Sequence, residues 1–359
     1  MASQLTTRSA DVGERVTFGL IYDFRNPVPW QQPWADRYAQ VLDQIAWIDR
    51  ELAIDSINVT EHHFYEDGYI PSPMVICGAL TARTERVGVG TNLLQLPLHH
   101  PVRVAEDALV CDILSGGRFR LGVGAGYYWQ EFQGVGSVLK ERPSRMREAF
   151  EILRAAFRGR PFSYEGKRFQ TPEIRVSPPP IRDGGPEIWM GGFVPAAVDR
   201  VAQLADGFLA FGHAGIPEYF AACERHGRPP EERQLNRTYW AIIDDDPERA
   251  YAAAGPHFMH MFNEYIRREG YPGLTPFDDP APARAMGLEG GYLLVADAPA
   301  AIEAFNQDVA AGARDINLLA FMPGESIDEV SRRLQYLSDH VIPHVDQIDQ
   351  AGRRLTIGA

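Results

Sequence analysis

The sequence predicts an α/β fold, a single closed barrel of eight parallel strands with helices packed around it. Short runs rich in β-branched and aromatic residues recur eight times between Val16 and Phe321, as in VTFGLIY, SINVT and INLLAF. Amphipathic stretches separate them, and apolar strands alternating with helices are the pattern of a parallel sheet covered by helices. Titratable residues gather at the carboxyl ends of the runs, most densely in Glu61-His62-His63, and barrels of this kind place their chemistry there.

The first strand is read over Val16–Tyr22. The segment after it carries Pro27, Pro29 and Pro33 and must be a loop. A helix follows from Trp34 to Leu52, because Tyr38, Val41, Leu42, Ile45, Ala46 and Ile48 recur at helical spacing. Strand two is Ser56–Thr60, and Ser72-Pro73 opens a helix that reaches Thr84. Strand three spans Val87–Leu94, its helix Val102–Leu114, strand four Phe119–Val123 and the next helix Ser144–Phe157.

Residues 159–185 break the rhythm. Aromatic-rich short strands around Glu165-Gly166, then Pro178, Pro179 and Pro180, predict an inserted hairpin with a rigid exit. Strand five is Glu187–Met190 with a helix over Pro195–Ala205, and strand six is Gly207–Phe211 with a helix over Pro217–His226. Strand seven is Thr238–Ile243, and a helix opens at Pro247. A second insertion is expected over 255–291, rich in Phe, Met, Tyr and Pro and too long for an ordinary barrel loop. Its aromatic stripe reads equally as core packing or as a lid over the mouth. A helix over Ala300–Ala311, strand eight at Asp315–Phe321 and a closing helix over Ile327–His340 complete the count. The barrel domain is therefore expected over 16–345, flanked by tails at 1–15 and 346–359.

Composition narrows the function. Hydrophobic residues are 45% and charged residues 23% of the 359, as in soluble globular proteins. The net charge of −13, without a Lys/Arg-rich face, argues against nucleic acid and for small-molecule partners. No apolar run reaches eighteen residues, and the first sixteen residues lack the apolar stretch of a secretory signal. Cys77, Cys111 and Cys223 are far apart and without CxxC spacing, which predicts reduced thiols and a cytoplasmic protein.

Three features carry candidate chemistry. His62 ends strand two, where an imidazole titrating near neutral pH is placed for acid–base work. Gly122, Gly124 and Gly126 in LGVGAGYY follow strand four without the strict spacing of a dinucleotide turn, so they read as a close approach to a flat ligand or to a neighbouring loop. Gly191 and Gly192 precede the helix at Pro195, either as a simple tight turn or as a phosphate-binding helix start. His62, His63, His99 and His100 raise a metal-dependent hydrolase as a rival, but strands one and eight offer no ligands and no metal site is expected.

Read together, EHHF at 61–64, VGTNLLQLPLHHPVRVAEDALVCDILSGGRFRLGVGAGYYWQEF at 89–132, MGG at 190–192 and LADGF at 204–208 resemble the bacterial-luciferase-like monooxygenase family. The resemblance implies a TIM barrel that binds reduced FMN, or in another branch a reduced deazaflavin, at the carboxyl ends of its strands. The FMN branch uses dioxygen to oxidise a small organic substrate, with electrons from a separate flavin reductase, and its members are often homodimers. It makes His62 the catalytic residue beside Glu61, places a non-proline cis peptide at Asn92–Leu93 beneath the ring, and sets Glu131 where a carboxylate influences flavin binding. Gly126 and Tyr127 would lie along the cofactor tail, and Gly191, Gly192 and Phe193 at its phosphate. Gly124 and Ala125 stand where luciferases carry Cys and Arg, and Phe193 where a hydroxyl residue is expected, so phosphate binding falls to backbone amides or to an Arg from elsewhere. An oxygen-independent deazaflavin enzyme and an idle flavin-binding protein are the rival readings on the same barrel.

Overall fold

The structure, a computed structural model, describes residues 15–348 and 354–355. Eight parallel strands close into a barrel in chain order: β1 Thr17–Tyr22, β2 Ser56–Val59, β3 Gly88–Thr91, β4 Phe119–Gly124, β5 Glu187–Gly191, β6 Gly207–Phe211, β7 Gln234–Ile243 and β8 Asp315–Leu319. β8 pairs back onto β1 with Thr17 opposite Asp315, which closes the ring. Strand side chains alternate between two faces. On β7 the outward set is Leu235, Arg237 and Tyr239, with Arg237 and Tyr239 both bonded to Asp308 of the helix Ala298–Ala310. Asn236, Thr238 and Trp240 therefore point inward. The apolar core lies between strands and helices, where Phe18, Leu20, Ile57, Val59, Val89, Leu121, Val123, Ile188 and Phe208 are buried.

Most helices begin and end within three residues of expectation, and residues 162–174 form the expected antiparallel hairpin, Phe162–Glu165 against Gln170–Ile174. The third run does not form one strand. It stops at Thr91, the Asn92–Leu93 peptide is cis, and Leu94–Gln95 forms a second short strand against β4. The region after β7 also differs. Its helix runs without a break from Pro247 to Arg267, through Gly255 and Pro256. An interior proline costs a helix about 3 kcal/mol. Here the burial of Phe258, Met261 and Phe262 in a second apolar cluster with Trp240, Leu293 and Met322 offsets that cost. A second helix, Pro280–Glu289, and an unforeseen strand, Leu293–Ala296, return the chain along the far end of β7. This segment covers the mouth beside β7.

Of the expected tails, residues 1–14 lie outside the described residues, as do 349–353 and 356–359, while Gln347–Ile348 pairs with Arg354–Leu355. Among the described residues no helix is long and apolar enough to cross a membrane.

Candidate active site

His62 stands at the carboxyl end of β2, 8% exposed, and its orientation is set by a residue sixty-nine positions away. Glu131, fully buried on the short helix Trp129–Gly134, bonds His62 Nδ1 at 2.9 Å through Oε1. The same oxygen accepts the His63 backbone N–H at 2.8 Å, and Oε2 accepts Gln95 Nε2 at 3.0 Å. A carboxylate only accepts, so Nδ1 carries the proton toward Glu131 and Nε2 is the nitrogen left for chemistry. Four phenols enclose the imidazole: the rings of Tyr69, Tyr65, Tyr127 and Tyr265 lie 4.7, 5.1, 5.8 and 5.8 Å from it. Tyr265 belongs to the helix Pro247–Arg267, and its hydroxyl meets that of Tyr69 at 2.6 Å. Among the described residues the buried indole N–H of Trp240 has no hydrogen-bond partner, while the buried hydroxyls of Tyr65 and Tyr127 interact with each other.

A second network holds the loops after β2 and β3 together. Buried Glu61 accepts His99 Nε2 at 2.7 Å and His63 Nε2 at 3.1 Å on Oε1, and the Gln95 N–H on Oε2. Burial opposes the charge, but the two imidazole hydrogen bonds and their positive charge win and hold the Glu61 carboxyl down at about 2. His63 is pushed up in turn: burial works against its cation, while the bond to Glu61 favours it. The three ligand atoms lie within 4.8 Å of one another, the one such group among the described residues. Glu61 accepts three hydrogen bonds here, and the trio forms an ion-pair network.

Cation–carboxylate contacts fasten the covering helix to the rim. Asp67 binds Arg25, itself fully buried, at 2.7 Å, and His260 at 3.3 Å. Burial raises the Asp67 carboxyl, but His260 and Arg25 prevail and hold it at about 2. Trp30 stacks on His257 at 3.9 Å, and Arg268 sits 3.6 Å above the Tyr65 ring.

The expected site residues fall into two groups. Glu61, His62, Asn92, Leu93, Tyr127 and Glu131 converge on the mouth at the ends of β2, β3 and β4. Gly124 and Gly191 serve Leu93: a Cβ on Gly124 would lie 2.4 Å from Leu93 Cδ1, and one on Gly191 2.8 Å from Cδ2. Gly126, at φ +69°, brings the chain past the Gln95 amide, which would meet a Cβ at 2.3 Å, with Ala125 half-buried before it. Gly192 packs against Ala197, and Phe193 stands 67% exposed at the start of the helix Pro195–Leu204. Among the described residues the N–H groups of Phe193 and Val194 have no protein partner. Gln95, His63, His99, Tyr65, Tyr69 and Tyr265 were not anticipated as members of the site. In the sequence His63 and His99 stand out only as possible metal ligands, and Gln95 carries no local signal.

Comparison with known proteins agrees with this architecture. A family profile described as luciferase-like monooxygenase matches residues 16–314. A 4-hydroxyprotoasukamycin monooxygenase of Streptomyces nodosus subsp. asukaensis is 32% identical over 149 residues, 41% of this chain. That match spans only 38% of the relative's length. The oxygenating constituent of 3,6-diketocamphane monooxygenase from Pseudomonas putida, solved with FMN, superposes with a TM-score of 0.72 at 19% identity, covering 92% of this chain and 99% of that one. The coenzyme F420-dependent tetrahydromethanopterin reductase of Methanopyrus kandleri does so with a TM-score of 0.69 at 17% identity and the same coverage. At such identities the two structures show a shared fold. The profile spans most of the chain, and the chain belongs to the luciferase-like monooxygenase family.

Proposed function

We propose that the protein is a flavin-dependent monooxygenase that takes reduced FMN from a separate reductase and oxidises a small, largely apolar organic substrate with dioxygen. The observation that carries this reading is His62 locked by Glu131 through Nδ1, leaving Nε2 among four phenol rings next to Asn92–Leu93. The residues present fit a flavin. Leu93, seated on the Cβ-free Gly124 and Gly191, offers an apolar platform, and the unpaired amides of Phe193 and Val194 suit an anionic tail in place of the absent Arg and hydroxyl residues. Glu61 orders the loops after β2 and β3, and Gly126 with Tyr127 would lie along the cofactor tail.

Reduced FMN, when bound, supplies the electrons that let dioxygen attack the substrate. His62 Nε2 takes or gives a proton at the reacting edge, and Glu131 keeps the ring in one tautomer and orientation. The phenols and the helix Pro247–Arg267 exclude water, which protects a reactive oxygen species from being wasted. Three buried free thiols support a cytoplasmic setting. An apolar patch on the helices Pro73–Arg83 and Pro101–Leu114 supports a homodimer.

The same rim would serve a reduced deazaflavin that delivers hydride. Mixing the protein with chemically reduced FMN in air, then with a reduced deazaflavin, and recording oxygen uptake and product mass separates the readings. Oxygen incorporation that depends on FMN and an added substrate is expected. Hydride transfer without oxygen uptake would assign the deazaflavin chemistry instead, and flavin binding with no substrate oxidation under either cofactor would leave only a binding protein.

A further inference from the structure

A file of polar side chains runs up the inside of the barrel, from its amino end to the mouth. At the bottom, Asp315 accepts Thr17 Oγ1 at 2.8 Å, Arg120 NH1 at 2.8 Å and Asn236 Nδ2 at 3.1 Å. Asn236 Oδ1 accepts the Thr238 hydroxyl at 2.7 Å. Thr238 Oγ1 in turn meets Asn92 Nδ2 at 3.2 Å. Asp315, Asn236 and Thr238 are all buried.

The direction of every bond in this file follows from its lowest member. Asp315, paired with Arg120, can only accept, so Asn236 must turn its NH2 group down and its carbonyl oxygen up. Thr238 has one proton and gives it to that oxygen. Only lone pairs remain for Asn92, which must therefore donate through Nδ2. Its Oδ1 is turned away from Thr238, has no protein partner among the described residues and is not buried. The charge at the foot of the barrel thus dictates that Asn92, beside Leu93, shows an acceptor.

We propose that Asn92 is a specificity-determining residue whose Oδ1 favours the reduced cofactor over the oxidised one, and that Thr238, Asn236 and Asp315 are positioning residues that fix it that way round. This rests on the flavin reading above. Two-electron reduction of an isoalloxazine converts ring nitrogens that only accept into N–H donors, so an acceptor fixed at the ring rewards the reduced form. For a protein that borrows reduced flavin and must let the oxidised product go, that preference sets the direction of exchange.

The test is the ratio of dissociation constants for oxidised and reduced FMN, the latter measured anaerobically, together with the midpoint potential of bound FMN. Thr238→Val removes both contacts of the file at constant shape and should lower the ratio about tenfold, the value of one hydrogen bond. The potential should fall by about 30 mV for this two-electron couple. Thr238→Ser should restore both. Asn92→Ala tests the same point from the rim and should also lose the preference, which covers the case in which Thr238→Val does not fold. A folded Thr238→Val or Asn92→Ala protein that keeps the wild-type ratio, or that weakens both forms equally, overturns the proposal. Wild-type protein that binds neither form overturns the flavin reading itself, a different result.

Discussion

At the level of single residues, the imidazole of His62 and the carboxylate of Glu131 form a unit that neither side chain makes alone. The position of His62 at the end of a strand is visible in the sequence, but its partner is not. Glu131 lies sixty-nine positions on, and only the closure of β2, β3 and β4 around one mouth brings the two to 2.9 Å. Replacing His62 by Ala should leave FMN affinity within a few-fold and slow product formation about 10²- to 10⁴-fold, the usual worth of a positioned acid or base. Glu131→Gln should reduce turnover less, since an amide still has an oxygen for Nδ1–H. Steady-state turnover and flavin titration on the two variants check this, and an unchanged turnover in His62→Ala would remove its role. The Glu61 network makes a prediction about pH. Glu61 is held at about 2 against an ordinary 4.5, so its contribution is present above pH 4.5 and lost as pH falls toward 2. His63 is raised from 6.5, so its contribution is full below 6.5 and lost as pH rises through its folded value. Wild type should therefore exceed His63→Gln in stability by about 1 kcal/mol between pH 4.5 and 6.5, with the gap closing as pH rises above 6.5. Denaturant melts of both proteins at pH 5.5 and 8.5 read it directly.

At the level of elements, period-two and period-3.6 patterns made the strands and most helices legible, because burial against one face decides them. Two elements were misread for physical reasons. Gly255-Pro256 is a strong local stop signal, yet the stripe of Phe258, Met261 and Phe262 continues past it and tertiary burial prevails. The third run splits at Asn92, where its pairing to β4 slips by one residue between Val89-Gly90 and Leu94-Gln95, a change that no local propensity announces. The glycines after β4 were open to two readings, and the contact of Gly124 with Leu93 favours close approach of a neighbouring loop. Gly124→Ala should then cost about 1–3 kcal/mol through overpacking and push Leu93 out of place. A thermal melt and an FMN titration should both move, whereas Ala at the open Gly136, where only φ is strained, should leave FMN affinity unchanged.

At the level of the whole molecule, closure of the barrel buries one face of its helices but leaves apolar side chains exposed on two adjacent ones. The helices Pro73–Arg83 and Pro101–Leu114 pack side by side, and Val75, Val110, Ile113 and Leu114 are exposed on them at 71, 41, 39 and 55%. A helix that is apolar around its circumference expects burial on both sides, and a self-complementary patch on paired helices suits a two-fold interface. With a net charge of −13 two copies would repel weakly, so apolar burial would have to provide their association. The double variant Val110→Glu/Ile113→Glu places four added carboxylates face to face across that axis. It should halve the mass seen by light scattering at micromolar concentration while leaving the circular dichroism unchanged, because both side chains point away from the barrel. Wild-type protein that is already monomeric at those concentrations would rule the interface out, and a dimer that survives the double substitution would move it to another face.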